Sequence, residues 1–393
     1  MTAHDRSRRR FIGMLGGATA ALTVWPTLSF ASTGSRTRLL VVLLRGAMDG
    51  LHLLPPRDDA DYRRLRGALA VENALPLDAP FGLHPALPFA HGLYGRRQLL
   101  PVVAVAPPYR QRSHFDAQDC LENGTATPGG ARDGWLGRSV EAMVGAHGVA
   151  VAQVMPLAMR GSTRADLWSP DLPRDLPDAL LAPLETLYAH DAQLAPVFAD
   201  AMRRGMDGRD DMAGAATGMT TGSTTRAFGL VEAMAAAAKR MQGADAARIA
   251  FVEDTGWDTH RAQAPTLQRK FGELDAGLRA LYDGLGAAWD DTVVVIATEF
   301  GRTVAVNGTA GTDHGVGGVA LLAGGAVRGG RVLGDWPGLR ANALQDGRDL
   351  RATTDLRAVF KGVLASHLAL PESALETRVF PDSREIAPLA GLA

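Results

Sequence analysis

One cysteine, Cys120, is the entire thiol inventory of this chain. No intramolecular disulfide and no cysteine-based zinc site can form from it. An excess of charge of either sign is also missing. Lys and Arg number 41 against 42 Asp and Glu, a formal net charge of −1. That removes the electrostatic case for a nucleic-acid partner or an anionic membrane surface. Aromatic residues are only 6% of the chain, and Trp135, Trp168, Trp289 and Trp336 read as packing residues, not a stacking platform. No apolar run reaches the ~20 residues needed to span a bilayer. The N-terminal run around Ala18–Leu22 is short, glycine-containing and closed by Trp25-Pro26. There is no internal repeat. Glycine (45) and proline (22) are plentiful and spread out, which means many loops and not low complexity. With 393 residues, 46% of them hydrophobic, the chain suits one large α/β domain with an insertion, or two domains.

The N-terminus reads as an export signal. Ser7-Arg8-Arg9-Arg10-Phe11 resembles the twin-arginine pattern, a weakly hydrophobic glycine-containing run follows, and Ser29-Phe30-Ala31 is a small-x-Ala cleavage site. Residues 1–31 are therefore expected to be a signal peptide, the mature domain to be 32–393, and the location periplasmic or secreted, with no stable transmembrane anchor. Twin-arginine export carries folded proteins, often with a cofactor loaded, which favours a metal site.

In the mature chain, strands and helices alternate, which predicts a doubly wound, largely parallel sheet. Aliphatic runs predict strands at 38–44, 99–106, 148–155, 248–252 and 292–297, with late strands at 319–322 and 331–333. Leu267, Phe271, Leu274, Leu278, Leu281 and Leu285 recur at three- and four-residue steps and predict a long amphipathic helix over 263–289. From about 156 to 225 the character changes to prolines, a helical stretch over 184–204 and a Gly/Asp/Thr-rich loop. This segment reads as a helical, flexible insertion over the sheet edge. Its Asp207-Gly208-Arg209-Asp210-Asp211 run lacks the later spacing of a calcium loop and reads as a solvated turn.

Chemistry concentrates at strand ends, where open α/β sheets bind ligands. Asp49 follows the first strand, with Arg45 before it. Ser113 stands at an N-cap, with His114 and Asp116 in the first turn behind it. His114 and Asp116 are second-rank candidates for ligand or supporting work. Asp254, Asp258 and His260 leave the strand at 248–252. Glu299 and Arg302 leave the strand at 292–297, and Asn307, Asp313 and His314 follow in the next loop. Mixed carboxylate and imidazole groups suit one or two divalent ions, with Zn, Mn, Mg and Ca all open. Such ions would activate Ser113 or a water, while Arg45 and Arg302 would bind the remaining anionic oxygens. His84 and His91, without partners in sequence, read as structural.

Five segments together resemble the family known as domain of unknown function 1501: Leu44-Arg45-Gly46-x-x-Asp49-Gly50, Ser113-His114-Phe115-Asp116-Ala117-Gln118, Gly256-Trp257-Asp258-Thr259-His260, Glu299-Phe300-Gly301-Arg302-Thr303 and Gly311-Thr312-Asp313-His314-Gly315. The resemblance implies a fold of the alkaline phosphatase and sulfatase type. It implies that Asp49 resembles the first-strand metal Asp, Ser113 the nucleophile, Asp258 and His260 the ligand pair of one metal, Glu299 the first member of an Asp-His dyad, and His314 the last metal His. Phe300 stands where the second dyad member would be a histidine, and Asp258 and His260 are two residues apart where four is common, with Asp254 a substitute. Cys120 is followed by Leu121-Glu122-Asn123, so the formylglycine sulfatase motif is absent. The expectation is an exported metal-dependent hydrolase of small anionic esters, phosphate first. The alternatives are a non-catalytic exported protein that binds a metal or an envelope or extracellular ligand on the same scaffold, and a phosphoryl-transferring mutase.

Overall fold

Strand β1 (Arg38–Leu44) shows why its sequence is an unbroken aliphatic run. Leu40, Val42 and Leu44 enter one hydrophobic layer, while Leu39, Val41 and Leu43 enter another on the opposite side. Both faces are covered, so neither set of alternating positions can be polar. The computed structural model describes residues 36–77, 80–169, 229–243 and 245–393, with isolated positions between 183 and 195. Residues 37–393 form one compact unit. The expected signal peptide at 1–31 and most of the expected insertion lie outside the described residues.

A short antiparallel pair, β2 (Leu75–Pro76) and β3 (Gly82–Leu83), stands apart from the main sheet. The remaining strands are β4 (Leu99–Ala106), β5 (Gly148–Val151), β6 (Ala165–Trp168), β7 (Ile249–Asp254), β8 (Thr292–Ala297), β9 (Gly318–Ala323) and β10 (Thr354–Asp355). With β1 they form an eight-stranded sheet in the order β10-β4-β9-β8-β1-β7-β5-β6. Its pairs are parallel except for β9, which runs antiparallel to both β4 and β8. The architecture is the mostly parallel α/β sheet that the alternation of elements predicts.

That reversal of β9 positions the site. The C-terminal ends of β1, β4, β7 and β8 share one edge, and because β9 runs the other way, its N-terminal approach reaches the same edge. The loop carrying Asp313 and His314 just before β9 is thereby delivered to the strand ends that carry Asp258 and Glu299.

The Gln263–Leu285 helix covers one face together with the Leu230–Arg240 helix. Leu267, Phe271, Leu274, Leu278 and Leu281 are fully buried, each worth roughly 1.5–3 kcal/mol by removal from water. The remainder of the expected helix, to 289, tightens into a 3-10 turn over Gly286–Asp291. Two expectations change. Residues 165–168, placed in the insertion, are the edge strand β6, because Ala165, Asp166, Leu167 and Trp168 pair with β5 in parallel register. The expected strand at 331–333 is reduced to a single bridge between Val102 and Leu333.

His52 and His84 form a stacked imidazole pair, 5.2 Å between ring centroids, against Phe271. Burial pushes both down to about 4. The unfolded chain takes up these protons near pH 6.5, whereas the folded chain resists until about pH 4. Stability is therefore complete above pH 6.5 and is lost as pH falls from 6.5 toward 4. The expected loss is roughly 3 kcal/mol for His52, with His84 adding less because it titrates beside it. Urea midpoints at pH 7 and pH 4.5 should show this drop in wild type and a smaller one in His52→Gln. An equal drop in both would exclude His52 as its source.

Candidate metal centre

The site is built from backbone that only certain residues permit. Gly46, at the end of β1, has φ +117, and a Cβ there would sit 2.5 Å from the Asp258 backbone nitrogen. Gly311 lies so close under His260 that a Cβ would be 2.3 Å from its carbonyl carbon. These approaches bring three loops into contact. After β4 the chain turns through Arg112, which holds φ +61, and enters the His114–Asn123 helix. Ser113 caps that helix, its Oγ accepting from the Asp116 N–H at 3.5 Å.

Three imidazoles and one carboxylate converge at this edge. The Nε2 atom of His314 is 2.9 Å from Nε2 of His114 and 2.9 Å from Nε2 of His260. Oδ1 of Asp258 lies 3.5, 3.0 and 3.4 Å from the Nε2 atoms of His114, His260 and His314. His114, Asp258 and His314 each offer one ligand atom within 4.8 Å of one another, and His260 adjoins them on the His314 and Asp258 side.

The far nitrogens determine what the near ones carry. Nδ1 of His114 meets Oε1 of Glu299 at 2.7 Å, Nδ1 of His260 meets Oδ1 of Asp313 at 3.0 Å, and Nδ1 of His314 meets the Arg112 carbonyl at 3.0 Å. A carbonyl and ionised carboxylates only accept, so each neutral ring carries its proton on Nδ1. In the neutral rings each Nε2 is then a lone pair, and the three face one another and a carboxylate oxygen; against the burial that lowers it, the Glu299 hydrogen bond and charge raise the pKa of His114 and favour a proton there. That arrangement repels itself unless a cation, a proton or a metal, sits among them. Glu299 makes the same demand. It is fully buried, and its partners are His114, the Gly46 N–H, the Gln118 amide and the Thr298 hydroxyl. Burial alone would raise its pKa, but the His114 and Gln118 hydrogen bonds outweigh burial and hold it below the usual carboxylate range. Burial lowers His314, and the neighbouring His114 lowers it further.

Phe300 forms the apolar floor, packed with Ala47, Tyr109, Ala117 and Cys120. Its ring centroid is 4.8 Å from that of His114 and 5.2 Å from that of His314. Position 300, where the resemblance would put an imidazole, holds a phenyl ring packed against imidazoles from two other segments. His114, given second rank from the sequence, stands in the cluster. The available signal was its place beside an N-cap at a strand's C-terminal edge.

Other sequence candidates have different placements. Asp49 is buried beneath the site, where it caps the short Gly50–Leu53 helix and pairs with Arg66 through both oxygens. Asp254 is held by Lys270 at 2.5 Å and by the Trp257 indole at 2.8 Å. Glu299 and Asp313 stand behind the imidazoles, not among the converging atoms. Arg45 donates to Glu253, Gln118 and Glu122. Arg302 is buried, donating to the carbonyls of Gly46, Ala47, Trp257 and Thr312 and to Asp258. The two arginines expected to grip an anion therefore build the scaffold, because every face of each fork already has an acceptor. Asn307 ties the His260 carbonyl to Asp313, at 2.9 and 3.1 Å.

A family model described as "Protein of unknown function (DUF1501)" matches residues 90–375, most of the chain. The chain belongs to the DUF1501 family. Among curated proteins nothing matches. Solved structures similar to this DUF1501 chain include the C-terminal periplasmic domain of EptC from Escherichia coli in complex with Zn, at 11% identity and TM-score 0.36, covering 75% of this chain and 74% of that one. Murine ectonucleotide pyrophosphatase/phosphodiesterase 5 is similar at 11% identity and TM-score 0.32, covering 68% and 57%. A protein in the alkaline phosphatase superfamily from Vibrio parahaemolyticus is similar at 10% identity and TM-score 0.37, covering 77% and 63%. At this level the chemistry of the DUF1501 site has to be read from its own side chains.

Proposed function

We propose that the protein is an exported, metal-dependent hydrolase of small anionic esters, phosphate esters first, with a divalent ion held by His114, Asp258, His260 and His314. The observation that carries this is the set of three Nε2 lone pairs turned toward one another by acceptors on every Nδ1. Metal-ligating histidines present this pattern, the second nitrogen bound to a carboxylate or carbonyl. Five of the ligand-atom separations run from 2.9 to 3.5 Å, against roughly 3.3 Å between ligands standing 2.0–2.1 Å from a zinc ion. A nitrogen-rich set of this kind favours Zn over Mg or Ca.

When bound, such an ion supplies Lewis acidity toward an ester oxygen or a water. The chain's own residues do the rest. Glu299, Asp313 and the Arg112 carbonyl fix the imidazoles. Ser113 Oγ, next in sequence to His114, is the candidate nucleophile. The first turn of the His114–Asn123 helix offers backbone N–H groups and a dipole to an anionic substrate. Phe115, 88% exposed in that turn, is an apolar surface beside the imidazoles. Export rests on the twin-arginine pattern, and among the described residues no helix is long and apolar enough to cross a membrane.

Elemental analysis of the folded, untagged protein should find a near-stoichiometric transition metal that is lost in His260→Ala and His314→Ala. A panel of phosphate and sulfate esters should then show turnover that falls at least a hundredfold in Ser113→Ala. No metal in wild type after incubation with Zn²⁺, Mn²⁺, Mg²⁺ and Ca²⁺ would sink the reading. Metal without turnover would support the second reading, a non-catalytic binding protein. The engagement of Arg45 and Arg302 with protein acceptors favours that alternative, since every nitrogen of each guanidinium already has a protein partner.

A further inference from the structure

We infer that the protein holds a single divalent ion at this edge of the sheet, and that the guanidinium of Arg66 is the fixed positive charge standing where a second ion would draw on Asp49. The inference rests on the metal reading above and adds to it a stoichiometry and a residue.

A second ion drawing on Asp49 would need a free oxygen on that carboxylate, and Asp49 has none to offer. Oδ1 of Asp49 accepts from the N–H groups of Leu51 and His52 and from Nη2 of Arg66, at 3.0, 3.1 and 2.8 Å. Oδ2 accepts from Nη1 of Arg66 at 2.5 Å and from Nε2 of Gln263 at 2.6 Å. Five donors meet a group with about four lone-pair sites, and Asp49 and Arg66 are 1% and 0% exposed. The Gln263 amide keeps its N–H toward Asp49, because a flipped amide would set its oxygen against the carboxylate, while Oε1 accepts from the hydroxyls of Thr259 and Thr312 at 2.9 and 2.6 Å. Both its ends are thereby committed, and its N–H group is aimed at Asp49. Glu299 is buried, with three donors on Oε1 and, beside Oε2, the Thr298 hydroxyl, which also reaches the Leu44 carbonyl at 2.7 Å. An ion at Asp49 would have to displace a buried bidentate guanidinium and an anchored amide together. Arg66 does for Asp49 what a bound cation would do, and it comes from the Ala60–Arg66 helix, outside every segment that supplies the imidazoles.

Calorimetric titration of chelator-stripped, untagged protein with Zn²⁺, beside elemental analysis, tests this on wild type, Arg66→Met and the Asp49→Asn/Arg66→Met double variant. Wild type should take one ion per chain. Arg66→Met, which leaves Asp49 without its counter-charge, should take two, the second more weakly, with a thermal midpoint that rises as Zn²⁺ or Mn²⁺ is added. The double variant should return to one. Two ions in wild type, or one ion in a folded Arg66→Met with no metal-dependent rise, would overturn the inference and leave the metal reading standing. No ion in wild type would overturn both. If Arg66→Met fails to fold without metal, refolding it with Zn²⁺ present should give two ions per chain, and failure to recover or recovery with one ion counts against the inference.

Discussion

Arg302→Met is expected to destabilise the protein by about 4 kcal/mol and to weaken metal binding at the same time. Each buried acceptor left without its donor costs roughly 1–3 kcal/mol, and the lost guanidinium orphans several backbone carbonyls, while its charge partner Asp258 is itself 43% exposed. Its Nε, Nη1 and Nη2 donate to the carbonyls of Gly46, Ala47, Trp257 and Thr312 and to the carboxylate of Asp258. These acceptors belong to three different loops, so the side chain is the rivet that fixes their relative position. Burial by itself would raise the pKa of Asp258, but the hydrogen bond and charge of Arg302 outweigh it and keep it low. Arg302→Lys should recover less than half of the loss, because an ammonium has three donors and no planar fork. Denaturant midpoints would measure this. A methionine variant within about 1 kcal/mol of wild type would mean that the loops are held by something else.

His314→Ala is expected to lower Zn²⁺ affinity at least a hundredfold, and Glu299→Gln by about tenfold. The difference comes from position. His314 is the central imidazole, 2.9 Å from the Nε2 atoms of both other rings. Structural zinc binding is worth ~10–16 kcal/mol over four ligands, so one ligand is worth roughly 3 kcal/mol, or about a hundredfold. Glu299 touches the centre only through Nδ1 of His114. Its glutamine variant keeps an acceptor for that proton but loses the charge that makes the ring a stronger donor, an outer effect of ~10–100-fold. Competition titration against a chromophoric chelator resolves both values. Equal losses in the two variants would show Glu299 to be a ligand itself.

These expectations divide along the line between what local pattern can and cannot encode. The β-branched run before Thr298, the aliphatic run before Arg45 and the leucine repeat from 267 to 285 identified their strands and helix, because burial on two faces or one stripe leaves a periodic trace in residue type. The N-cap role of Ser113 was legible for the same reason, since capping is settled within one turn. Strand ends as the seat of the chemistry followed from the alternation of strand and helix.

What the chain could not show locally was partnership across long separations. Arg66 meets Asp49 from another helix, Gln118 and Arg45 meet over 73 positions, and His114 meets His314 over 200. Nothing in the type or spacing of Arg45 and Arg302 distinguishes a guanidinium open to a substrate anion from one saturated by carbonyls. Nothing at Asp49 distinguishes a metal ligand from a cap neutralised by a buried arginine. By itself, then, the sequence determined the α/β layering, the edge that carries the polar groups and the residue types available there. Only the tertiary structure decided which nitrogen lone pairs face one another, since that depends on what occupies the opposite side of each imidazole, and those occupants, Glu299, Asp313 and the Arg112 carbonyl, are brought there by the antiparallel turn into β9 and the packing of loops around Arg302.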